Sequence, residues 1–297
     1  MGLAIPALRF IIREHKRQPF TGTILTLGRQ CVYATYDELQ RLFQAEGIHP
    51  HPLPASMPRT TNIPNWQQGP QQDYTSDEVF FTALTGQLPK TLDVSDYEGA
   101  ELIWDLNKPV PPSWENMFGA IFDFGTLEHL FDTKEALYNI NRMLKVGGRV
   151  IHMLPSSNYT EHGFYSFSPT FFYDYYGTNK YGDLRCYIAE QSAWRTDHGP
   201  WNIWQWDRQR PSISIRSRHQ LVTFFCAQKQ ADSTVDHIPQ QGEYQYGGGG
   251  RTGPQKLFGW QATLYHRLPR WMIIFIKRLL RQDKTVKPWG LRYRGKL

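Results

Sequence analysis

The 297-residue chain is 40% hydrophobic and 14% aromatic, enough for one packed domain of roughly 200–250 residues plus an extension. No apolar run approaches the ~18 residues of a membrane span, Arg9 and Arg13 break any secretory pattern, and Cys31, Cys186 and Cys226 suggest neither a metal pair nor a disulfide framework, so a reducing, cytoplasmic setting is expected. Ten Lys or Arg against one acid over residues 267–297 account for more than the whole net charge of +6, which leaves the body slightly acidic and does not indicate a general nucleic-acid-binding surface there.

Leu8, Ile11 and Ile12, with Arg9, Arg13 and Lys16 on other faces, predict an amphipathic helix over residues 6–16. Residues 23–27 read as a buried strand closed by Gly28. Thr35 with Glu38 three residues on is a capping-box signature, so a helix carrying Leu39, Leu42 and Phe43 follows. Residues 48–76 are rich in proline and glutamine and have no period, which marks an insertion, either a surface loop or a substrate lid. Asp77 is placed as the cap of a helix bearing Val79, Phe80, Phe81 and Leu84. Residues 91–94 and 102–104 read as strands, leaving Asp93 and Asp105 at or near their ends.

The central stretch runs from Phe118 to Pro155. Ala120, Ile121 and Phe122 form a short apolar strand that delivers a polar loop with Asp123, Thr126, Glu128 and His129. Ala136, Leu137, Ile140, Met143 and Leu144 then recur at helical spacing, Gly147-Gly148 is read as the helix stop, and residues 149–154 form a strand that Pro155 breaks. Ligands of open α/β sheets bind beyond the carboxyl ends of the strands, so the loop from Asp123 to His129 is the first candidate site.

Taken in order, Leu127-Glu128-His129, Arg142-Met143-Leu144-Lys145, Gly147-Gly148 and Pro155 resemble the second half of a class I S-adenosylmethionine-dependent methyltransferase. The resemblance covers residues 90–155 well and residues 20–45 loosely. It implies an α/β fold with a Rossmann-like sheet, mostly parallel with an antiparallel edge strand and helices on both faces, and S-adenosylmethionine as cofactor. It further implies that Asp93 receives the ribose hydroxyls, that Asp105 meets the adenine, and that Gly28 and Asp123 lie near the methionine part, with Leu106 and Phe124 completing the cofactor set. The chain departs from the family at Leu27-Gly28-Arg29-Gln30-Cys31, where one glycine stands for a Gly-x-Gly-x-Gly-like loop. Either Arg29 and Gln30 rebuild that loop or cofactor binding has been lost.

His129 and His162 are the candidate general bases for a hydroxyl acceptor, because imidazole titrates near neutral pH. Some metal-dependent relatives hold a divalent ion with a Glu-x-x-Glu-His turn and a later His. Here Gly125 takes the first Glu position, so no metal site is expected, the remaining donors being Glu128, His129 and His162. Phe171, Phe172, Tyr173, Tyr175 and Tyr176, then Trp194, Trp201, Trp204 and Trp206, form either core or a stacking platform for a polyhydroxylated acceptor.

The plan is a methyltransferase-like domain over residues 1–235, with 156–215 as an aromatic-rich substrate region, a glycine-rich linker or loop over 236–256, and a basic helical extension over 257–297. That extension would pack on the body or a partner subunit, or else lie on an anionic membrane surface, and a homo-oligomer is compatible with it. The expected partner is a small-molecule or glycan acceptor. The competing expectation is a degenerate methyltransferase fold that acts as a non-catalytic binding or scaffold subunit.

Overall fold

Successive residues of a strand point to opposite faces, and in the central strands of this chain both faces are apolar. Ile24, Phe122, Ile151 and Phe224 enter one core, while Leu25, Ile121, Val150 and Phe225 enter a second. Strands buried on both sides require helices on both sides. The computed structural model describes residues 2–61, 73–191, 199–206, 217–241, 269 and 292–296. Helices α1 (Ile5–Arg17), α2 (Tyr36–Ala45) and α3 (Asp77–Thr85) cover the first face with Phe10, Phe43, Phe80 and Phe81. Helices α4 (Thr133–Met143) and α5 (Pro169–Thr178) cover the second with Leu137, Ile140, Phe172 and Tyr176.

Among the described residues the large sheet has nine strands, numbered in chain order. Across the sheet these are β12 (Arg292–Lys296), β10 (Asn202–Trp206), β9 (Gly182–Glu190), β11 (Leu221–Gln228), β8 (Leu144–Ser157), β7 (Phe118–Asp123), β2 (Ile24–Leu27), β5 (Lys90–Asp93) and β6 (Leu102–Ile103). From β8 to β6 all pairs are parallel, and from β8 to β12 all are antiparallel. The chain starts at β2, fills one side with β5 and β6, then returns to lay β7 and β8 on the other. The order therefore reverses between β2 and β7, which is where doubly wound sheets hold their ligands. This is the Rossmann-like sheet expected of the class I methyltransferase fold. A small second sheet joins β1 (Leu3–Ala4), β3 (Cys31–Thr35) and β4 (Tyr74–Ser76), strands the sequence pattern does not signal.

Several local expectations hold for stated physical reasons, and others change. Thr35 and Glu38 form the reciprocal capping box at the start of α2. The cap of α3 is Ser76, whose side chain accepts from Val79 N, and Asp77 is instead a buried residue of the first turn. Gly147-Gly148 is not the stop of α4. That helix ends at Met143, where Lys229 Nζ donates to the carbonyls of Asn141 and Leu144, and the glycine pair lies inside β8. Pro155 does not break β8 either, because the register with β11 shifts between Leu221 and Val222, and proline is tolerated at such irregularities. The antiparallel part is four strands wide rather than a single edge strand, and Leu221–Gln228 lies in the sheet interior.

The flanks of the 48–76 insertion pack on the body: His51 N donates to Ala83 O, Leu53 and Met57 rest on the first core, and Tyr74–Ser76 is strand β4. Residues 62–72 lie outside the described residues. In the aromatic-rich region Phe172, Tyr176 and Trp201 are core side chains, and Trp206 packs edge-on against Tyr173, so these rings do not form an open platform. Trp194 lies outside the described residues, as does most of the basic extension, whose residues Arg292–Lys296 form a strand on β10 rather than a helix. Among the described residues no helix is long and apolar enough to cross a membrane.

Strand β7 carries the site loop, and its seating depends on Gly119, where an added Cβ would fall 1.8 Å from Thr21 O. Gly119→Ala is therefore expected to cost roughly 1–3 kcal/mol. Urea unfolding checks this, and an unchanged midpoint would contradict the packing.

Candidate functional site

Strand β7 ends in the fully buried Asp123, whose carboxylate is divided between two tasks. Oδ1 accepts from Thr126 N at 3.1 Å and Leu127 N at 3.2 Å, the usual way an aspartate closes a turn onto its own backbone. Oδ2 lies 2.7 Å from His152 Nδ1, and His152 Nε2 lies 2.7 Å from the Tyr176 hydroxyl. Thr126 Oγ1 donates to Leu27 O at 2.6 Å and ties the turn to the end of β2. The result is a short 3-10 turn, Leu127–His129, held from both sides.

That turn presents Glu128 inward. The residue is fully buried, and neither carboxylate oxygen has a hydrogen-bond partner. The Glu128 carbonyl accepts from Phe164 N at 2.7 Å, which draws in the segment bearing His162. Gly163 allows that approach: it adopts φ +77°, and a Cβ there would sit 2.7 Å from Glu128 O. His162 Nε2 lies 3.5 Å and His129 Nε2 3.9 Å from Glu128 Oε1, and the two imidazoles meet edge to face at 5.2 Å. Burial, with the Asp123 charge behind it, pushes the Glu128 carboxyl up to about 7. Desolvation lowers both imidazoles, so they are neutral at neutral pH. Such a cluster can exchange a proton near neutrality, or its oxygen and two nitrogens can ligate a cation. Phe131 and Phe164, 73% and 65% exposed, pair edge-on at 5.7 Å beside it as an apolar rim.

The opposite side of the loop is the expected cofactor side. Gly28 adopts φ +73° and donates its N–H to Leu92 O. A Cβ there would sit 3.3 Å from Thr126 Oγ1 and 3.7 Å from Asp93 Oδ2, so the ends of β2, β5 and β7 meet at this glycine. Asp93 Oδ1 accepts from Val94 N and Ser95 N. Asp105, two residues beyond β6, is held by Asn107, whose hydrogen bonds lower its carboxyl.

The other expected cofactor residues are engaged elsewhere. Arg29 reaches the carbonyl of Gly99 at 2.7 Å and pairs with Asp77, Glu78 and Glu101. Gln30 folds back, its Nε2 donating to the carbonyls of Leu27 and Gly28. Asp123 is committed to the turn and to His152, and Leu106 and Phe124 are core side chains. Sequence reading missed His152, whose signal was a lone imidazole within an apolar strand. It also missed Phe131 and Phe164, which nothing in the sequence separates from core aromatics.

No family model matches the chain, and no curated sequence matches it. Solved structures that are similar include a possible histamine N-methyltransferase of Thermotoga maritima, described as S-adenosylmethionine-dependent (11% identity, 76% of this chain and 90% of that chain, TM-score 0.37). Another is the 1,6-didemethyltoxoflavin-N1-methyltransferase of Burkholderia thailandensis with its substrate and S-adenosylhomocysteine (12%, 76% and 78%, TM-score 0.35). A third is phosphoethanolamine N-methyltransferase 2 of Haemonchus contortus with S-adenosyl-L-methionine (12%, 76% and 53%, TM-score 0.38), of which this chain spans about half. None of these scores carries the fold assignment; the strand order does.

The raised Glu128 carboxyl has a stability consequence. A carboxyl near 4.3–4.5 unfolded and near 7 folded binds an extra proton in the fold between those values, so its ionisation costs stability as pH rises through that window. Glu128→Gln in metal-free buffer is expected to gain on the parent from pH 5 to pH 8, by on the order of 1–3 kcal/mol at the upper end. Denaturant melts at both pH values check this, and a pH-independent difference would contradict it.

Proposed function

We propose that this chain is an S-adenosylmethionine-dependent methyltransferase that methylates a hydroxyl of a small-molecule or glycan acceptor. The observation that carries the reading is the meeting of Gly28, Asp93 and Thr126 at the reversal point of the sheet, where the glycine leaves room that any Cβ would fill. Asp93 would accept the ribose hydroxyls and Asp105 would face the adenine, both carboxylates being acceptors at neutral pH. When bound, the cofactor supplies an electrophilic methyl group on sulfur. The chain's own share of the reaction is then positioning and proton removal. Glu128, poised near neutrality, takes the hydroxyl proton directly or through His129 or His162. The Phe131–Phe164 rim offers apolar faces on which a sugar or aromatic ring can rest.

The acceptor class rests on this cluster, since a base near neutrality suits a hydroxyl, whereas a neutral amine needs none before it attacks. Methylation of nitrogen is the second outcome an acceptor screen can return. The scaffold alternative draws on Arg29 and Gln30, which are occupied by protein contacts where the family has glycines.

Calorimetric titration with S-adenosylmethionine and S-adenosylhomocysteine tests the cofactor reading. Micromolar binding is expected, weakened at least tenfold in Asp93→Asn, which preserves an acceptor for Val94 N and Ser95 N. A folded protein that binds neither ligand would overturn the enzyme reading and favour the scaffold.

A further inference from the structure

From the cavity between α4 and α5 we infer that the acceptor carries an uncharged aromatic body, which lies in that cavity while its hydroxyl reaches Glu128. The inference rests on the methyl-transfer reading above and names the acceptor class within it. The cavity measures about 510 Å³, within the roughly 300–1,000 Å³ of small-molecule sites. Leu137 and Tyr138 of α4, Phe171 and Tyr175 of α5, and Val235 and Ile238 of the segment after β11 form its apolar walls. Ile238 is 79% exposed, an apolar surface that a bound molecule would cover.

Topology sets this cavity beside the candidate site. Helix α4 follows β7 and α5 follows β8, so both begin at the carboxyl ends of adjacent parallel strands, the end that holds Glu128. The cavity starts at Thr133, the first residue of α4, and at Ser168, the cap residue of α5. Thr133 lies two residues beyond Phe131, and two residues span at most about 7 Å. The Tyr165 hydroxyl donates to Phe131 O at 3.0 Å and so ties the two helix starts together. Ring contacts then run unbroken from the exposed pair to the cavity. Phe131 meets Phe164 at 5.7 Å, Phe164 meets Tyr165 at 6.4 Å, Tyr165 meets Phe167 at 6.1 Å, and Phe167 meets Phe171 at 4.9 Å. Phe131 and Phe164 are thus the outer end of an aromatic row whose inner end is a cavity wall.

The walls also select the ligand. Tyr138, Phe171 and Tyr175 offer ring faces and edges, which pair favourably with another aromatic ring. Lys134 and Asp174 set one basic and one acidic side chain on the lining, so neither sign of ligand charge is favoured. Burying the hydroxyls of a glycan against Leu137, Phe171 and Val235 would cost free energy that an aromatic ring avoids. The outer wall is fixed rather than loose: the Tyr175 hydroxyl donates to Val235 O at 3.3 Å, and Asn179 Nδ2 donates to His237 O at 3.0 Å.

4-Phenylphenol is the probe, an uncharged molecule with a hydroxyl at one end and an apolar ring at the other. Phenol lacks the second ring, and maltose supplies a sugar in its place. Calorimetric titration of the full chain, without cofactor, is expected to give one site for 4-phenylphenol, at least tenfold tighter than for phenol or maltose. Filling the cavity with Thr170→Trp on α5, or with Val235→Trp on the facing wall, is expected to abolish that difference. Val146→Trp, at an exposed position near the other end of β8, is expected to match the parent. Circular dichroism accompanies each variant, and the two cavity variants stand on separate elements in case one does not fold. 4-Phenylphenol bound no more tightly than phenol or maltose, or a difference that survives in the folded cavity variants, would overturn the inference. S-Adenosylhomocysteine titrated into the same samples separates the two readings. Cofactor binding without the tenfold difference removes the aromatic acceptor alone; the difference without cofactor binding removes methyl transfer and leaves the cavity as a binding site.

Discussion

The Asp123 carboxylate is the constraint on which the rest of the site depends. One oxygen holds the backbone of Thr126 and Leu127, and the other is braced by His152 and through it by Tyr176 on α5. A buried carboxylate is costly unless it is hydrogen-bonded, and the bonds of Asp123 fix the turn after β7. That geometry sends Thr126 towards β2 and Glu128 towards the segment bearing His162. Burial first, and the negative charge of the Asp123 side chain second, raise the Glu128 carboxyl to about 7. A residue the family resemblance assigns to the cofactor thus serves here as the anchor of the turn between Thr126 and Glu128.

The loss of glycines after β2 has a physical counterpart. In place of a backbone that is small enough to let a ligand approach, side chains set the loop: Gln30 closes onto the Leu27 and Gly28 carbonyls, and Arg29 spans to Gly99 and to three carboxylates. Asp77, buried beneath Arg29, is pushed up to about 6 by that burial even with the guanidinium beside it. The one glycine that remains has φ +73°, which favours glycine, and a Cβ there would press on Thr126 Oγ1 at 3.3 Å.

The order of strands and helices was legible because apolar periodicity and the capping box are local signals, as at Thr35–Glu38 and along α4. Element ends were not, because they are set across the sheet: Lys229, just past β11, caps the end of α4, and a register shift in β11 admits Pro155. His129 and His162 were both legible as candidates, but their meeting was not, since 33 residues separate them and tertiary contacts join them: Gly163 seated on Glu128 and Phe164 N donating to Glu128 O. Aromatic content misled for a related reason. Phe172, Tyr176 and Trp201 fill cores, while the exposed pair that borders the site, Phe131 and Phe164, looks no different in the sequence.

The most direct measurement is a crystal structure of the chain soaked with S-adenosylhomocysteine. The account predicts the ligand at the reversal point between β2 and β7, its ribose on Asp93 and its sulfur directed towards Glu128, His129 and His162. Ligand bound elsewhere, or with its sulfur turned away from Glu128, would contradict it.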